Sequence, residues 1–264
     1  MRIYEASTEQ LLASQQRDPL LRHITDVILS AAASASQAMP APGRPTRVID
    51  VGCGVGRTSI ALARAGFDVV GVDPEARAVA LAEGTARELG LSESNARFLE
   101  ADAMATPAPE LSGRFDLAVC SEVIEHVGDP SKVLLYCRDV LRPGGVLILT
   151  TPHDRSQWTV MDDYAGHVTR FAVEELQSLL VAADFELDDL GTEGFPFQRL
   201  VMRSYDRLLR ARGGQHEFDS FGTGAPYRLY VALMPWLLRF DHRLRHLRRG
   251  TTLVAVARRK KLVA

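Results

Sequence analysis

A chain of 264 residues with 46% hydrophobic and 24% charged residues can bury one substantial core, which leaves little room for two independent domains. A formal net charge of −2 gives no overall pull toward nucleic acid or anionic lipid, so any electrostatic argument must be local. Cys53, Cys120 and Cys137 lack metal-type or disulfide-framework spacing, the N-terminus lacks signal-peptide order, and no apolar run reaches the roughly 18 to 20 residues of a membrane span; a cytoplasmic protein is expected.

Residues 7–35 read as one or two leading helices, with an apolar face interrupted at Pro19. Pro40, Pro42, Gly43 and Pro45 mark a linker, so that 1–45 forms an N-terminal helical segment and 46–264 the main domain. Arg47 to Val51 predicts a first strand, followed by a glycine turn and a helix from Thr58 to Ala65 capped by Gly66. Strand-like Asp68 to Val72 precedes a helix near Pro74 to Leu89; Arg97 to Glu100 and Phe115 to Cys120 continue the strands. Helical Ser131 to Leu141 leads through Pro143-Gly144-Gly145 to a fifth strand at Val146 to Thr150. A helix near Val173 to Ala183, a strand near Phe185 to Leu190 and a last strand near Gly250 to Ala257 follow, with a helical insertion at about 191–249 between the last two strands. Strands alternating with helices at this spacing predict an α/β fold whose parallel sheet is covered on both faces.

Asp50-Val51-Gly52-Cys53-Gly54-Val55-Gly56 leaves a strand and enters a helix, where backbone must pass close to a ligand. A dinucleotide fingerprint would place its third glycine at the position of Arg57, whereas Gly56 comes one residue earlier. Asp50 before the loop would oppose a phosphate but could hold an ammonium, so a zwitterionic ligand is expected rather than a pyrophosphate. Asp73 ends the second strand, where a carboxylate can accept from both ribose hydroxyls; it could equally cap a helix opening at Pro74. Asp102, after the third strand, could accept from an exocyclic adenine amine. Three acids after three successive strands share the carboxyl edge of one sheet, where such folds bind ligands.

These motifs, together with Ala101-Asp102-Ala103, Phe115-Asp116-Leu117-Ala118-Val119 and Leu141-Arg142-Pro143-Gly144-Gly145-Val146-Leu147, resemble those of class I S-adenosylmethionine-dependent methyltransferases, particularly ubiquinone-pathway O-methyltransferase-like members. The resemblance covers about Thr46 to Leu190 and the closing strand. It implies a Rossmann-like, seven-stranded, mostly parallel sheet of order 3-2-1-4-5-7-6. It also implies S-adenosylmethionine as cofactor, held by Asp50, Gly52, Cys53, Gly54, Gly56, Asp73, Pro74, Asp102, Ala103 and Ser121.

Glu122, Glu125 and His126 follow strand four at a spacing expected to share one face of a helical turn. The constellation resembles the divalent-cation motif of ubiquinone-pathway O-methyltransferases and of small-RNA 2′-O-methyltransferases, in which His167 is the matching fourth position. A divalent metal held by Glu122, Glu125, His126 and His167, and a metal-free cluster with His126, Glu122 and His167 in catalytic or positioning roles, both stay open. His153 and Tyr164 could touch substrate or simply be surface-loop residues.

Tyr227 to Leu238 is the most apolar stretch, is followed by a run of arginines, and should kink at Pro235. It suits a lid over an apolar substrate, a helix in peripheral contact with a membrane, or packing against the sheet or a homodimer partner. The expected activity is methyl transfer to a small, apolar acceptor, most simply O-methylation. RNA 2′-O-methylation and cofactor binding without methylation are the alternatives; the absence of a dense basic and aromatic tract outside the insertion argues against a nucleic-acid partner.

Overall fold

The computed structural model describes residues 18–39, 43–211 and 225–261. Seven strands form one sheet of order β3-β2-β1-β4-β5-β7-β6, as the resemblance implied. They are β1 (Arg47–Val51), β2 (Asp68–Asp73), β3 (Ala96–Glu100), β4 (Phe115–Ser121), β5 (Leu141–Pro152), β6 (Phe185–Glu193) and β7 (Thr252–Arg259). The first five run parallel, whereas β7 lies antiparallel between β5 and β6. The central strands are apolar on both faces because helices cover both: β1 and β4 are buried over nearly their whole length.

The helices are α1 (Pro19–Ala38), α2 (Arg57–Arg64), α3 (Ala76–Glu88), α4 (Pro130–Val140), α5 (Val160–Ala165), α6 (Val173–Ala182), α7 (Phe197–Ala211) and α8 (Ala225–Arg243). Asp18 caps α1 by accepting from the Leu20 amide at 2.8 Å, with Pro19 in the first turn, where its missing N–H costs nothing. The Pro19 break in the leading apolar pattern is therefore a helix start. The residues read as helix before Asp18, and Pro40 and Pro42 of the linker, lie outside the described residues. Ile24, Ile28 and Ala32 of α1 enter the same apolar cluster as Val48, Leu62 and Ile148, so this helix belongs to the main core.

Several boundaries differ from the sequence expectation. The helix expected from Pro74 begins at Ala76, and Asp73 remains in β2, where its Oδ1 accepts from the Glu75 amide at 3.0 Å. Asp73 thus closes a local turn and does not cap a helix opening at Pro74. Strand β5 starts at Leu141, before the expected Val146, because Pro143-Gly144-Gly145 is absorbed as an irregular, extended entry beside β4. Strand β6 runs on to Glu193, so the inserted segment opens at Gly194 with α7 and α8. Pro235 lies inside α8, which continues as helix across it.

Candidate active site

The glycine loop is shaped by three left-handed residues: Gly52, Gly54 and Gly56 have φ of 73°, 51° and 84°, a region costly for residues with a Cβ. Their surroundings differ. A Cβ on Gly52 would collide with Val123 Cγ2, and one on Gly56 would lie 2.8 Å from the Ala82 Cβ, whereas one on Gly54 would meet nothing within 4 Å. Gly52 and Gly56 are glycine for packing; Gly54 faces open space, where a ligand can approach the backbone. The amides of Gly52 and Cys53 donate to the Val72 carbonyl at 2.8 and 3.0 Å, and the Gly54 amide donates to Asp73 Oδ2 at 2.9 Å. The tip of the loop is thereby tied to the end of β2, and Asp73 keeps a second lone pair on each oxygen.

Asp50 lies beneath the loop, 2% exposed, and accepts from the Ser59 hydroxyl at 2.6 Å. Burial pushes its pKa up to about 6, against the pull of Ser59 and Arg57. Cys53 is buried too, and desolvation with two nearby carboxylates raises its thiol pKa, which keeps the thiol protonated. Pro74 and Asp102 are exposed beside the loop, with Asp102 Oδ1 accepting from the Met104 amide at 2.8 Å and Ala103 buried. Ser121 shares a 2.9 Å hydrogen bond with Thr150 Oγ1.

The ends of β4 and β5 are in register, with Ser121 paired to Thr150, so the segments leaving them diverge from one point. Glu122 has φ of 57° and is followed by a short 3-10 turn, Ile124–His126. That left-handed residue overturns the expectation of one helical face carrying Glu122, Glu125 and His126. Glu122 turns to Thr150, whose hydroxyl donates to Oε1 at 3.1 Å. Glu125 is fully buried; Thr151 Oγ1 donates to its Oε2 at 2.9 Å, while Oε1 has no hydrogen-bond partner.

The chain returns to this point from β5. The Val168 amide donates to the Glu125 carbonyl at 2.8 Å, placing His167 against His126 with ring centroids 4.7 Å apart, edge to face. Ligand atoms of Glu125, His126 and His167 lie within 4.8 Å of one another, and Glu122 falls outside that group. Three of the four residues read as metal ligands therefore converge.

Their environment sets their charge. Burial, reinforced by the Glu122 carboxylate, pushes the Glu125 pKa well above its ordinary range. Burial raises Glu122 as well, despite the nearby His167, Thr150 and Arg57. Desolvation and the facing His167 lower the His126 pKa, favouring neutral imidazole. His167 is oriented by Asp162, with Nδ1 to Oδ1 at 2.8 Å, and Asp162 is held in turn by buried Arg170 through two bonds of 2.7 and 2.8 Å. Nothing in the sequence motif singled out Asp162 or Arg170; the pairing is a tertiary contact.

His153 is 7% exposed, with Nδ1 2.9 Å from the Gly250 carbonyl, a contact between the end of β5 and the segment leading to β7. Tyr164 lies on α5.

The sheet order, the glycine loop and the carboxyl-edge cluster together define a methyltransferase-type α/β fold. The chain belongs to the methyltransferase domain family, whose pattern matches residues 18–190. It is 37% identical over 134 residues to the ubiquinone biosynthesis O-methyltransferase of Cereibacter sphaeroides, covering 50% of this chain and 51% of that protein. It is 38% identical over 113 residues to that of Ralstonia nicotianae, covering 43% and 46%. The chain thus matches about half the length of these relatives. Among solved structures, a putative sarcosine dimethylglycine methyltransferase from Galdieria sulphuraria superposes with a TM-score of 0.62 at 17% identity, over 90% of this chain and 85% of that one. A geranyl diphosphate methyltransferase superposes with a TM-score of 0.59 at 18% identity, over 87% and 76%. These two likenesses are of fold.

Proposed function

We propose that the chain transfers a methyl group from S-adenosylmethionine to an oxygen of a small, apolar acceptor. The observation that carries this reading is the convergence of Glu125, His126 and Asp162-oriented His167 at the ends of β4 and β5, on the same sheet edge as the open glycine loop. The ubiquinone biosynthesis O-methyltransferases that share this half of the chain support both the oxygen and the apolar acceptor.

Gly54, Asp73 and Asp102 are the groups suited to hold the cofactor: open backbone at Gly54, spare lone pairs on Asp73 for ribose hydroxyls, and an exposed Asp102 carboxylate for the adenine amine. Asp50, engaged with Ser59, supports the loop from below and adds negative charge that favours the ammonium. The bound cofactor supplies an electrophilic methyl on a sulfonium, whose departure as a neutral thioether needs no proton. The remaining tasks are alignment and an unprotonated nucleophile.

Two imidazoles and a carboxylate are a borderline donor set, and the unpartnered buried Oε1 of Glu125 fits a cation at this position. Glu125, His126 and His167 would hold a divalent ion, which would lower the pKa of an acceptor hydroxyl bound to it. Asp162 then has the part of the carboxylate that orients a ligating histidine. Without an ion, neutral His126 is placed to accept the acceptor's proton. Chelation with single-metal add-back separates the two: activity lost in EDTA and restored by one metal supports the ion, whereas full activity in excess EDTA supports the imidazole base. The methylation reading itself fails if labelled cofactor yields no methylated product with any of a panel of small apolar hydroxyl acceptors.

The insertion suits access by an apolar acceptor. Arg57 of the glycine loop donates to the Leu21 carbonyl and to Thr25 Oγ1 of α1, α1 packs on α8, and the Val160 amide of α5 donates to Asp206 of α7 at 2.9 Å. These contacts frame the carboxyl edge with α1, α7 and α8, in keeping with a lid. On α8, exposed Leu229, Leu233, Trp236 and Phe240 recur at helical spacing, with Trp236 76% exposed, beside exposed Arg228, Arg239 and Arg243. That stripe supports peripheral contact with a lipid surface from which such an acceptor is drawn. Among the described residues no helix is long and apolar enough to cross a membrane.

A further inference from the structure

A second cluster of possible ligands lies outside the catalytic edge. Glu193, the last residue of β6, is fully buried. His23 of α1 places Nε2 3.0 Å from its Oε2, and His242 of α8 places Nδ1 3.0 and 3.1 Å from its two oxygens. The two rings meet edge to face with centroids 6.1 Å apart. The ligand atoms of all three residues lie within 4.8 Å of one another. None of these residues belongs to a sequence motif, and they are brought together from positions 170 residues apart in the case of His23 and Glu193.

We propose that His23, Glu193 and His242 form a divalent cation site that fastens α1 and α8 to the end of β6. Two imidazoles and one carboxylate are a donor set for zinc, nickel, cobalt or manganese rather than for magnesium or calcium. Metal–ligand bonds of about 2.1 Å place neighbouring donors roughly 3.0 to 3.4 Å apart in octahedral or tetrahedral sites, and the nitrogen–oxygen separations here match the lower part of that range. Three protein ligands leave room for water, and access is available on the side of His242, whose side chain is 49% exposed against 12% for His23. Arg245, with Nε 3.3 Å from Glu193 Oε1 and a guanidinium nitrogen 2.7 Å from Asp189, occupies the flank. It balances the carboxylate in the absence of an ion, and its second partner at Asp189 gives it a place to stay when an ion binds. The competing arrangement is a purely hydrogen-bonded cluster in which each imidazole donates one N–H to Glu193.

The site is independent of the catalytic reading and can be tested apart from it. The full chain carrying H126Q and H167Q, stripped with chelator, is titrated with Co2+ and followed by visible d–d absorption and by the thermal midpoint with and without Zn2+. The expected result is one equivalent of Co2+ bound with d–d absorption, together with a Zn2+-dependent rise in the midpoint. Adding H23Q and H242Q should remove both. H242Q alone, at a half-exposed position where His23 and Arg245 still hold Glu193, guards against failure to fold. Absence of Co2+ absorption in the H126Q/H167Q protein, or its persistence after His23 and His242 are both replaced, overturns the proposal and leaves the hydrogen-bonded cluster.

Discussion

The Nδ1 atom of His167 lies 2.8 Å from Oδ1 of Asp162, a carboxylate that also accepts from Nε and Nη2 of Arg170. One buried acid therefore sets the orientation of an imidazole in the candidate site and neutralises a buried cation.

Asp162→Asn is expected to destabilise the protein by about 3 kcal/mol, because removing one partner of a buried pair leaves the Arg170 charge uncompensated. The same variant should lower turnover, since His167 loses the carboxylate that orients its ring. Burial pushes the Asp162 pKa up, but hydrogen bonds from His167 and Arg170 outweigh it and hold the group well below the usual carboxylate range. Its stabilisation is thus present above about pH 4, the unfolded-state value, and fades as pH falls toward the folded value. Urea midpoints of wild type and variant should converge in acid; a gap that stays constant with pH would contradict the pairing.

Two of the loop glycines, Gly52 and Gly54, should separate by phenotype. Gly54→Ala costs about 1 to 2 kcal/mol for a left-handed alanine but meets no neighbour, so the protein should fold and lose cofactor affinity. Gly52→Ala adds a collision with Val123 Cγ2 to the same backbone cost and should lower stability further. Thermal midpoints with calorimetric binding of S-adenosylmethionine check both, and equal cofactor affinity for Gly54→Ala and wild type would show that the ligand does not approach there.

Asp73→Ala should weaken cofactor binding by on the order of 1.5 to 3 kcal/mol, the scale of hydrogen bonds to a charged acceptor. Part of that loss acts through the loop, because the Gly54 amide also loses its partner. Asp73→Asn keeps one acceptor oxygen for the two amides that Asp73 serves, those of Gly54 and Glu75, so it should recover only part of the stability while still binding the cofactor less tightly. Unchanged calorimetric affinity in both variants would remove Asp73 from the cofactor site.

Asp50 offers a pH test in the cofactor-free protein. Its folded pKa of about 6 lies above the ordinary 3.8, so the folded state holds this proton more tightly than the unfolded chain. The contribution favours folding below about pH 4 and is lost as pH rises to about 6, amounting to roughly 2 to 3 kcal/mol. Asp50→Asn, which cannot ionise and still accepts from Ser59, should gain stability relative to wild type as pH rises from 4.5 to 7. A difference independent of pH would mean that Asp50 is ionised throughout.

The contacts between α1 and Arg57 make a further prediction. Leu21 and Thr25 of α1 accept from Arg57 at the start of α2, so Arg57→Ala should loosen α1 over the glycine loop. Hydrogen exchange of the α1 amides should accelerate, with little change in the amides of β1 and β4. Uniform acceleration across the sheet would show that Arg57 supports the whole core rather than this contact.

The apolar runs at Val48 to Val51, Val69 to Val72 and Leu117 to Cys120, each followed by its turn and helix, made the sheet and its carboxyl edge legible, because burial on both faces demands that composition locally. The order of strands and the antiparallel placement of β7 came from resemblance to a family, since periodicity does not state which strand neighbours which. The misread boundaries were local as well: Asp73 could close a turn or cap a helix, and only the position of Ala76 in space chose between them. Glu122 adopts φ of 57°, a backbone choice that no spacing rule anticipates, and it separated one residue from a motif that looked continuous.

What the residues determined by themselves was the glycine loop, the acids at three strand ends and the Glu125-His126 pair, because each depends on neighbours within a few positions of the chain. Only the tertiary structure decided which distant groups complete them: Asp162 behind His167, the unpartnered Oε1 of Glu125, and His23 meeting His242 across Glu193. Those pairings depend on three segments packing at one point, and side-chain chemistry in the sequence is compatible with many such meetings. Burial then selects among them energetically, since a carboxylate out of water must find a proton, a cation or a donor, and the fold determines which of these is within reach.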